Sequence, residues 1–542
     1  MIVRHAPALL FLISTLVISS VFTVEANSGV QPSTKRCGFL ASHSETSPDN
    51  FVDGFVQATR PSLPNWIESS SGRFRLHFAT SGVDAIPTAD EDANGVADFL
   101  DVAMATLEMA WQTYIDIGYT APPSDGEAGG SAAIDVYVHD LSKAGGGGTG
   151  LYGNTSPEQR ISSGPPERFT TWVELDNDYA STDRNQNGNP VYATTGADGL
   201  RITAVHELHH VFQAGSYGVN FTQAMMYEFT STWMEQRFFP EIPDWVTYAS
   251  NIFAMPAAFP FSGKTGMTGY VWAFFNRFVS GTNDAILLDT WQFIGANKTP
   301  FQALVDACNN QGAPLSTAFC DNLAMFYRTG TRDRDNDSLM FGSLLPEILL
   351  SANITASAPS ELLAGSLAAF EVRAYRLSIP TNGNESVNTG IIVTWPNEEA
   401  LIRGSENERR TFSIVATAMP HENDISIPGT TWGLRVEPSD VCVWVDGSLN
   451  QRIQSPYPHP VKLGVSRHVY VPVPTANYLD IVEVTILTPS FTAIQAESVT
   501  VSLDNNRLVA PIILDSVIAP GVYIVQCKHG DSTWLTKLVV QQ

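Results

Sequence analysis

The alternation of apolar and polar positions divides the 542-residue chain into stretches of different character. Residues 6–24 form an apolar run, and residues 27–71 are polar and rich in Pro and Ser. From Arg73 the pattern turns strand-like in Phe74-Arg75-Leu76-His77-Phe78, then helical over 102–114, then strand-like again over 133–138 and 169–175. Val205, Leu208, Val211 and Phe212 recur at helical spacing within 203–215, and 225–238 reads as a strongly apolar helix. Further helices are predicted over 271–279, 285–295, 300–307 and 316–327, joined by Gly/Asn/Pro loops. Beyond Leu350 the helical period vanishes. Short β-rich runs at 368–377, 390–395 and 411–416 suit a sandwich of about a hundred residues. A last β unit begins near 455–460 and continues through 469–474, 482–487 and a hairpin of 521–527 with 535–540, turning at His529-Gly530-Asp531.

The pattern predicts an α+β region followed by two all-β, sandwich-like units. The expected organisation is a leader over 1–26, an N-terminal arm or propeptide over 27–71, an α+β unit with a small sheet and a mostly helical second part over 72–345, and β units over 346–452 and 453–542. Small residues precede Asn27 in Val24-Glu25-Ala26, which fits a secretory signal peptide cut after Ala26. No other stretch approaches the ~20 apolar residues that span a bilayer, so the processed chain is expected to carry no membrane span and to be secreted or held at the cell surface. The strand over 169–175, just upstream of the helix at 203–215, is expected at a sheet edge, where an extended peptide could add as a further strand.

The formal net charge of −25 argues against nucleic acid as a partner. All five cysteines (Cys37, Cys308, Cys320, Cys442 and Cys527) lie in the exported part, where disulfides persist. Their spacing fits no metal cluster. The expected pairs are Cys308 with Cys320 and Cys442 with Cys527, leaving Cys37 over.

Residues 88–101 carry oxygen-bearing side chains at the spacing of a calcium loop. Asp90, Asp92 and Asn94 fall at positions 1, 3 and 5, Gly95 at 6, Asp98 at 9 and Asp101 at 12, with the Val96 carbonyl as the expected backbone ligand. An acidic turn that caps the following helix is the alternative. Asp183, Asn185 and Asn187 before Gly188 repeat the alternation with fewer carboxylates, an open candidate for a second calcium site. The glycines at 145–148 lack a following Gly-Lys-Ser/Thr and read as a flexible loop. The alternating Asp and Arg residues at 329–337 read as a solvated, self-paired turn.

The sharpest signal is His206-Glu207-Leu208-His209-His210, an H-E-x-x-H that on a helix presents two imidazoles on one face with a carboxylate beside them. His209 has no role in this pattern and is expected to face solvent. Glu228 and Glu235 stand about two turns apart on the apolar helix 225–238, and burying both without a cation or hydrogen-bond partners would be costly. Glu228 lies 18 residues after His210, a spacing that lets a second helix return past the first with a third ligand. Glu235 is the rival for that place, or else a partner behind a ligand. For a hydrogen-bond donor to a developing oxyanion, Tyr270 and Tyr217 compete with the reading that each is only a packed tyrosine.

These paired motifs, with the D-x-D-x-N-G segment upstream, resemble the gluzincin zinc metallopeptidases, and more narrowly a group of secreted bacterial metallopeptidases. The resemblance covers roughly residues 73–337. It implies a zincin-like fold, zinc held by His206, His210 and Glu228, Glu207 as general base, and a peptide or protein substrate. The Pro-rich opening of the last unit, its Ala519-Pro520-Gly521-Val522-Tyr523 strand and the closing Thr536-Lys537-Leu538-Val539-Val540 are similar to C-terminal sorting domains of the type IX secretion route, which implies secretion machinery as a partner. The expected function is therefore a secreted, calcium-stabilised zinc endopeptidase. The alternative is an extracellular binding or adhesion protein whose metal site is structural or inactive.

Overall fold

The computed structural model describes residues 37–39, 59–142, 151–162, 164–184, 189–220, 223–281, 283–333, 339–355, 360–380, 386–404, 408–419, 431–446, 461–464, 467–473, 479–488, 492–504, 507–530 and 532–542. The expected signal peptide, the glycine run at 145–148 and most of the arm over 27–71 lie outside them.

The first layer is a five-stranded mixed sheet. β1 (Asn65–Glu68) pairs antiparallel with β2 (Phe74–Phe78), which is parallel to β3 (Ile134–His139). β3 is parallel to β5 (Phe169–Asp176), and β4 (Gly153–Arg160) closes the edge antiparallel to β5. The order β1-β2-β3-β5-β4 corrects the expectation for 169–175: β5 is an interior strand, and the edge is β4. The sequence GNTSPEQR of β4 is polar and contains a proline, which disguises it as a loop. Both features are typical of an edge, where one side of the backbone needs no ladder partner.

Helix α1 (Asp98–Ile117) crosses between β2 and β3. It starts four residues before its expected beginning, so Asp98 and Asp101 lie in its first turn, where negative charge is favoured by the exposed N–H groups. Helix α2 (Gly196–Phe212) packs on α1, and the Tyr114 hydroxyl donates to the Val205 carbonyl at 3.0 Å. A π-helical turn, Gln213–Tyr217, extends α2. Helix α3 (Met225–Phe238) returns beside it, followed by α4 (Trp245–Ala254) and α5 (Gly266–Trp272). Gly269 permits α5 to lie directly on α3, since a Cβ there would come within 2.3 Å of the Met225 carbonyl oxygen.

The helical part continues through α6 (Asn276–Val279), α7 (Ala285–Gly295), α8 (Pro300–Asn310), α9 (Leu315–Asp321) and α10 (Leu323–Tyr327). Two sheets then face the helices. One has the order β12-β9-β8-β6, from β6 (Leu350–Thr355), β8 (Val372–Pro380), β9 (Ser386–Thr394) and β12 (Cys442–Val445). The other is β11-β10-β7, from β7 (Ser360–Ala368), β10 (Arg409–Met419) and β11 (Thr431–Glu437). One hydrophobic core runs from the first sheet through the helices into these strands, with Phe319 on Phe370 at 4.7 Å between ring centroids.

A disulfide joins Cys320 in α9 to Cys442 in β12 across 122 residues. This corrects both expected pairings: Cys37, Cys308 and Cys527 are buried free thiols. Cys308 is enclosed in the apolar face of α8 and Cys527 in the interior of the last β unit, so both are core side chains.

That last unit has its own core, built from residues between Val461 and Val540. One sheet has the order β13-β20-β19-β15-β16, from β13 (Val461–Lys462), β15 (Ile481–Leu487), β16 (Ala493–Thr500), β19 (Gly521–His529) and β20 (Ser532–Gln541), and the other the order β14-β18-β17, from β14 (His468–Pro472), β17 (Ser502–Asp504) and β18 (Arg507–Ile513). Its predicted hairpin is present as Gly521–His529 with Ser532–Gln541.

Just before β1, the chain is pinned by a buried ion cluster. Arg60 makes a two-pronged contact with Glu158 of β4, Nε to Oε1 at 2.8 Å and Nη2 to Oε2 at 2.7 Å, and also pairs with Asp125 and with Asp135 of β3. His77 of β2 holds the other oxygen of Asp135 at 2.7 Å. These carboxylates are little exposed, so the guanidinium is what makes their burial tolerable.

Candidate metal centre

The H-E-x-x-H residues lie on the buried side of α2, facing α3 and passing under β4. His206, Glu207 and His210 are all nearly inaccessible to solvent. The strand approaches so closely that a Cβ at Gly153 would stand 2.6 Å from Thr203 Cγ2 and 2.8 Å from Glu207 Cγ.

Three side chains converge on one point. His210 Nε2 stands 3.0 Å from His206 Nε2, and Glu228 Oε2 stands 3.1 Å from the first ring and 3.5 Å from the second, counted from His206. Tetrahedral ligands each about 2.0–2.1 Å from a shared ion lie about 3.3 Å from one another, so this spacing fits a metal site of two imidazoles and a carboxylate. The centre of the group lies on the Nε2 side of both rings.

The far ring nitrogens are occupied separately. His206 Nδ1 pairs with Glu235 Oε1 at 2.6 Å, and His210 Nδ1 with Gln213 Oε1 at 2.6 Å. Glu228 therefore stands with the ligand nitrogens and Glu235 stands behind one of them, where a carboxylate fixes the ring's orientation and raises its basicity. Gln213 comes from the π-helical turn, a feature common where a side chain must be re-aimed. Its amide nitrogen reaches Ser231 Oγ at 3.0 Å and Thr230 Oγ1 at 3.1 Å, tying α2 to α3.

His209 does not face solvent. It is fully buried, with Nδ1 2.9 Å from Ser231 Oγ and Nε2 3.3 Å from the Tyr119 hydroxyl, and Tyr119 and Trp291 pack edge-on against its ring. Burial and the neighbouring His210 and His206 rings push its pKa down, so it serves as a neutral hydrogen-bonded brace.

Burial opposes a proton on His206, but the hydrogen bonds to Glu228 and Glu235 outweigh it and lift the ring to about 9. Burial likewise opposes charge on Glu228, and the two rings overcome it and hold its carboxyl well below the usual range. A cation binding at His206 Nε2 would have to displace that proton, so metal affinity falls as pH falls.

Glu207 borders this group through Cys37, whose thiol lies 3.4 Å from Glu207 Oε2. Its Oε2 accepts the Thr155 hydroxyl of β4 at 2.8 Å, and burial raises its pKa. Of the two tyrosines, Tyr270 on α5 is at the site, its ring stacked 6.0 Å from that of His206. Tyr217 is turned away and accepts the Thr120 N–H at 2.9 Å.

One member of the cluster was missed in the sequence. Cys37, from the N-terminal arm, completes a group in which its Sγ and one ligand atom each from His206, His210 and Glu228 lie within 4.8 Å of one another. Its thiol is 3.4 Å from Glu207 Oε2 and its N–H donates to the Tyr270 hydroxyl at 3.2 Å. Its sequence gave little warning, because it stands alone in a polar stretch with no periodicity. The available signal was that it is an unpaired thiol, a good soft ligand, in a chain with a zinc motif.

The loop before α1 is folded around its own oxygens. Asp90 accepts the Asn94 and Gly95 N–H groups at 3.1 and 3.0 Å, Asp92 accepts Asn94 N–H at 3.0 Å, and Asn94 Nδ2 donates to Asp101 Oδ2 at 3.0 Å. Asn94 Oδ1 takes the Val96 N–H at 2.7 Å, and Gly95 has the left-handed φ of 89° that position 6 requires. Asp90, Asp92 and Asp98 each bring an oxygen within 4.8 Å of the others.

Asp183 stands near Asp176 and Asp178, while Asn185, Asn187 and Gly188 lie outside the described residues. The Asp176 oxygens there already accept N–H groups of Leu141, Asp178 and Tyr179. Among the described residues no helix is long and apolar enough to cross a membrane.

A scan against known protein families finds no match for this chain, and a search of curated proteins finds none.

Proposed function

We propose that this protein is a secreted zinc-dependent endopeptidase stabilised by calcium. The observation that carries the reading is the placement of Glu207. Its carboxylate accepts the Thr155 hydroxyl and lies 3.4 Å from the Cys37 thiol, which is within 4.8 Å of the two imidazole nitrogens and the Glu228 oxygen, while Glu235 and Gln213 hold the far nitrogens of the two rings.

His206, His210 and Glu228 would hold the zinc. Bound there, the metal supplies Lewis acidity toward a carbonyl and lowers the pKa of a coordinated water toward neutrality. Glu207 would act as the general base toward water and as the acid toward the leaving amine. Burial raises its pKa, which makes it a stronger base than an exposed carboxylate. Tyr270 would donate its hydroxyl hydrogen to the developing oxyanion. The free side of β4 offers its backbone to an extended peptide. The Asp90–Asp101 loop would hold calcium by Asp90, Asp92, Asn94, Asp98, Asp101 and the Val96 carbonyl, fixing the start of α1 and through it α2. Secretion by a C-terminal sorting unit belongs to the same proposal.

The test is to compare wild type with Glu207→Gln for metal content and for hydrolysis of a mixed peptide library. Both proteins are expected to bind one zinc, and the variant to lose about 10²–10⁴-fold in rate. Equal hydrolysis by the two would sink the mechanism.

A second reading is favoured by one observation. Four protein ligands close a zinc site, and closed sites are structural. With Cys37 counted, the group has four donors. An adhesion or binding protein with a structural zinc would need no Glu207 at that point, and this separates the readings.

A further inference from the structure

The fourth donor comes from a segment that belongs to neither helix of the site, and its contacts reach well beyond the ligand group. Cys37 bridges to Gly153 in parallel register, and the Gly38 N–H donates to the Gly153 carbonyl at 3.1 Å, so residues 37–39 use the free side of β4. The Cys37 N–H donates to the Tyr270 hydroxyl, and the thiol faces Glu207. Phe39 stacks on His210 with ring centroids 4.2 Å apart and planes at 15°, and leans on Tyr227. Gly38 is pressed against Asn154 so closely that a Cβ would lie 2.5 Å from its side-chain oxygen. Each element that the proposed reaction requires is engaged by these three residues: the ligand group, the base, the hydroxyl donor and the edge strand.

We infer that Cys37 is the fourth metal ligand in a latent form of this protein and that residues 37–39 are a built-in inhibitor. The inference rests on the zinc endopeptidase reading. A thiolate in the fourth position leaves no place there for water. The inhibitor blocks by occupation, so the machinery beneath it is already assembled. The stable body begins by Arg60, whose guanidinium neutralises Glu158, Asp125 and Asp135. A separable inhibitor therefore ends before that residue.

The experiment uses the full chain loaded with Co²⁺ in place of zinc, as wild type, Cys37→Ser, Cys37→Ala and Gly38→Val. The cobalt spectrum reports whether sulfur is a ligand, independently of turnover, and the same zinc-loaded proteins are assayed on the peptide library. A thiolate-to-cobalt charge-transfer band is expected in wild type and absent from both Cys37 variants. A segment seated in about 99 of 100 molecules leaves about a hundredth of the activity, so its release should raise the rate about 100-fold. Gly38→Val keeps the thiol but forces the segment off Asn154, and should also raise the rate.

A cobalt-loaded wild type with no sulfur band overturns the assignment of Cys37. A band without any gain in rate on its removal, in Cys37→Ser, Cys37→Ala and Gly38→Val alike, overturns latency and leaves a structural site. Failure of every protein to bind Co²⁺ or zinc overturns the underlying metal reading instead.

Discussion

Glu228 and Glu235 are alike in chemistry, burial and helix face, yet the structure gives them opposite relations to His206. Glu228 meets Nε2 at 3.1 Å, and Glu235 meets Nδ1 at 2.6 Å. Replacing each by Gln tests this assignment with nearly constant shape. In Glu235→Gln the ring keeps a hydrogen-bond partner but loses the charge that makes it a stronger ligand. Losses of this kind run to about 10–100-fold in metal affinity, or about 1.4–2.7 kcal/mol. Glu228→Gln removes a charged donor from the group itself, so its loss should exceed about 100-fold. Zinc competition against a chromophoric chelator at pH 7.5 measures both, with thermal melting as the control for folding. An affinity loss in Glu235→Gln equal to or greater than that in Glu228→Gln would refute the assignment, because it would put Glu235 among the ligands.

Two further outcomes follow from the rest of the chain. At free calcium about 100-fold above its Kd, the Asp90–Asp101 loop should add about 2.7 kcal/mol, a rise in melting temperature of about 5–10 °C over the chelated protein, and the Asp90→Asn/Asp92→Asn double variant should show no such rise. A melting temperature indifferent to calcium in wild type would remove calcium from the picture. Arg60→Ala should cost about 3–5 kcal/mol in denaturant unfolding, because Asp125, Asp135 and Glu158 lose their shared cation, and Arg60→Lys should recover only part, since one ammonium cannot reproduce the two-pronged contact. A stability loss below about 1 kcal/mol for Arg60→Ala would mean that the cluster is solvated.

What the sequence made legible is what is local in the chain. The helical spacing of His206 and His210, the oxygen alternation from Asp90 to Asp101 and the C-terminal hairpin all depend on residues close together in the chain, and each appears in the structure. Glu228 was within reach because two carboxylates on an apolar helix require an explanation. Which of Glu228 and Glu235 meets the ligand nitrogens depends on the rotation of α3 against α2, and no periodicity encodes that. The disulfide and Cys37 were out of reach for a related reason: each joins parts of the chain more than a hundred residues apart, and an unpaired thiol carries no pattern of its own. Strand β4 was hidden by its polarity, which follows from its place at the sheet edge. His209 was misjudged because a polar residue with no assigned role is normally placed in solvent, whereas here Ser231 and Tyr119 satisfy it inside the core.

The bond between Cys320 and Cys442 also has a mechanical meaning. Tension applied between the two ends of the chain passes through the sulfur atoms and bypasses the stretch they enclose, so α10, α11 (Glu398–Arg403) and the strands from β6 to β11 bear no load while it is intact. Reduction releases that stretch to the pull, lengthening the fully drawn chain by about 400 Å. Pulled from its two ends, the chain would thus yield in two distinct regimes, and the redox state of its surroundings would set how far it extends.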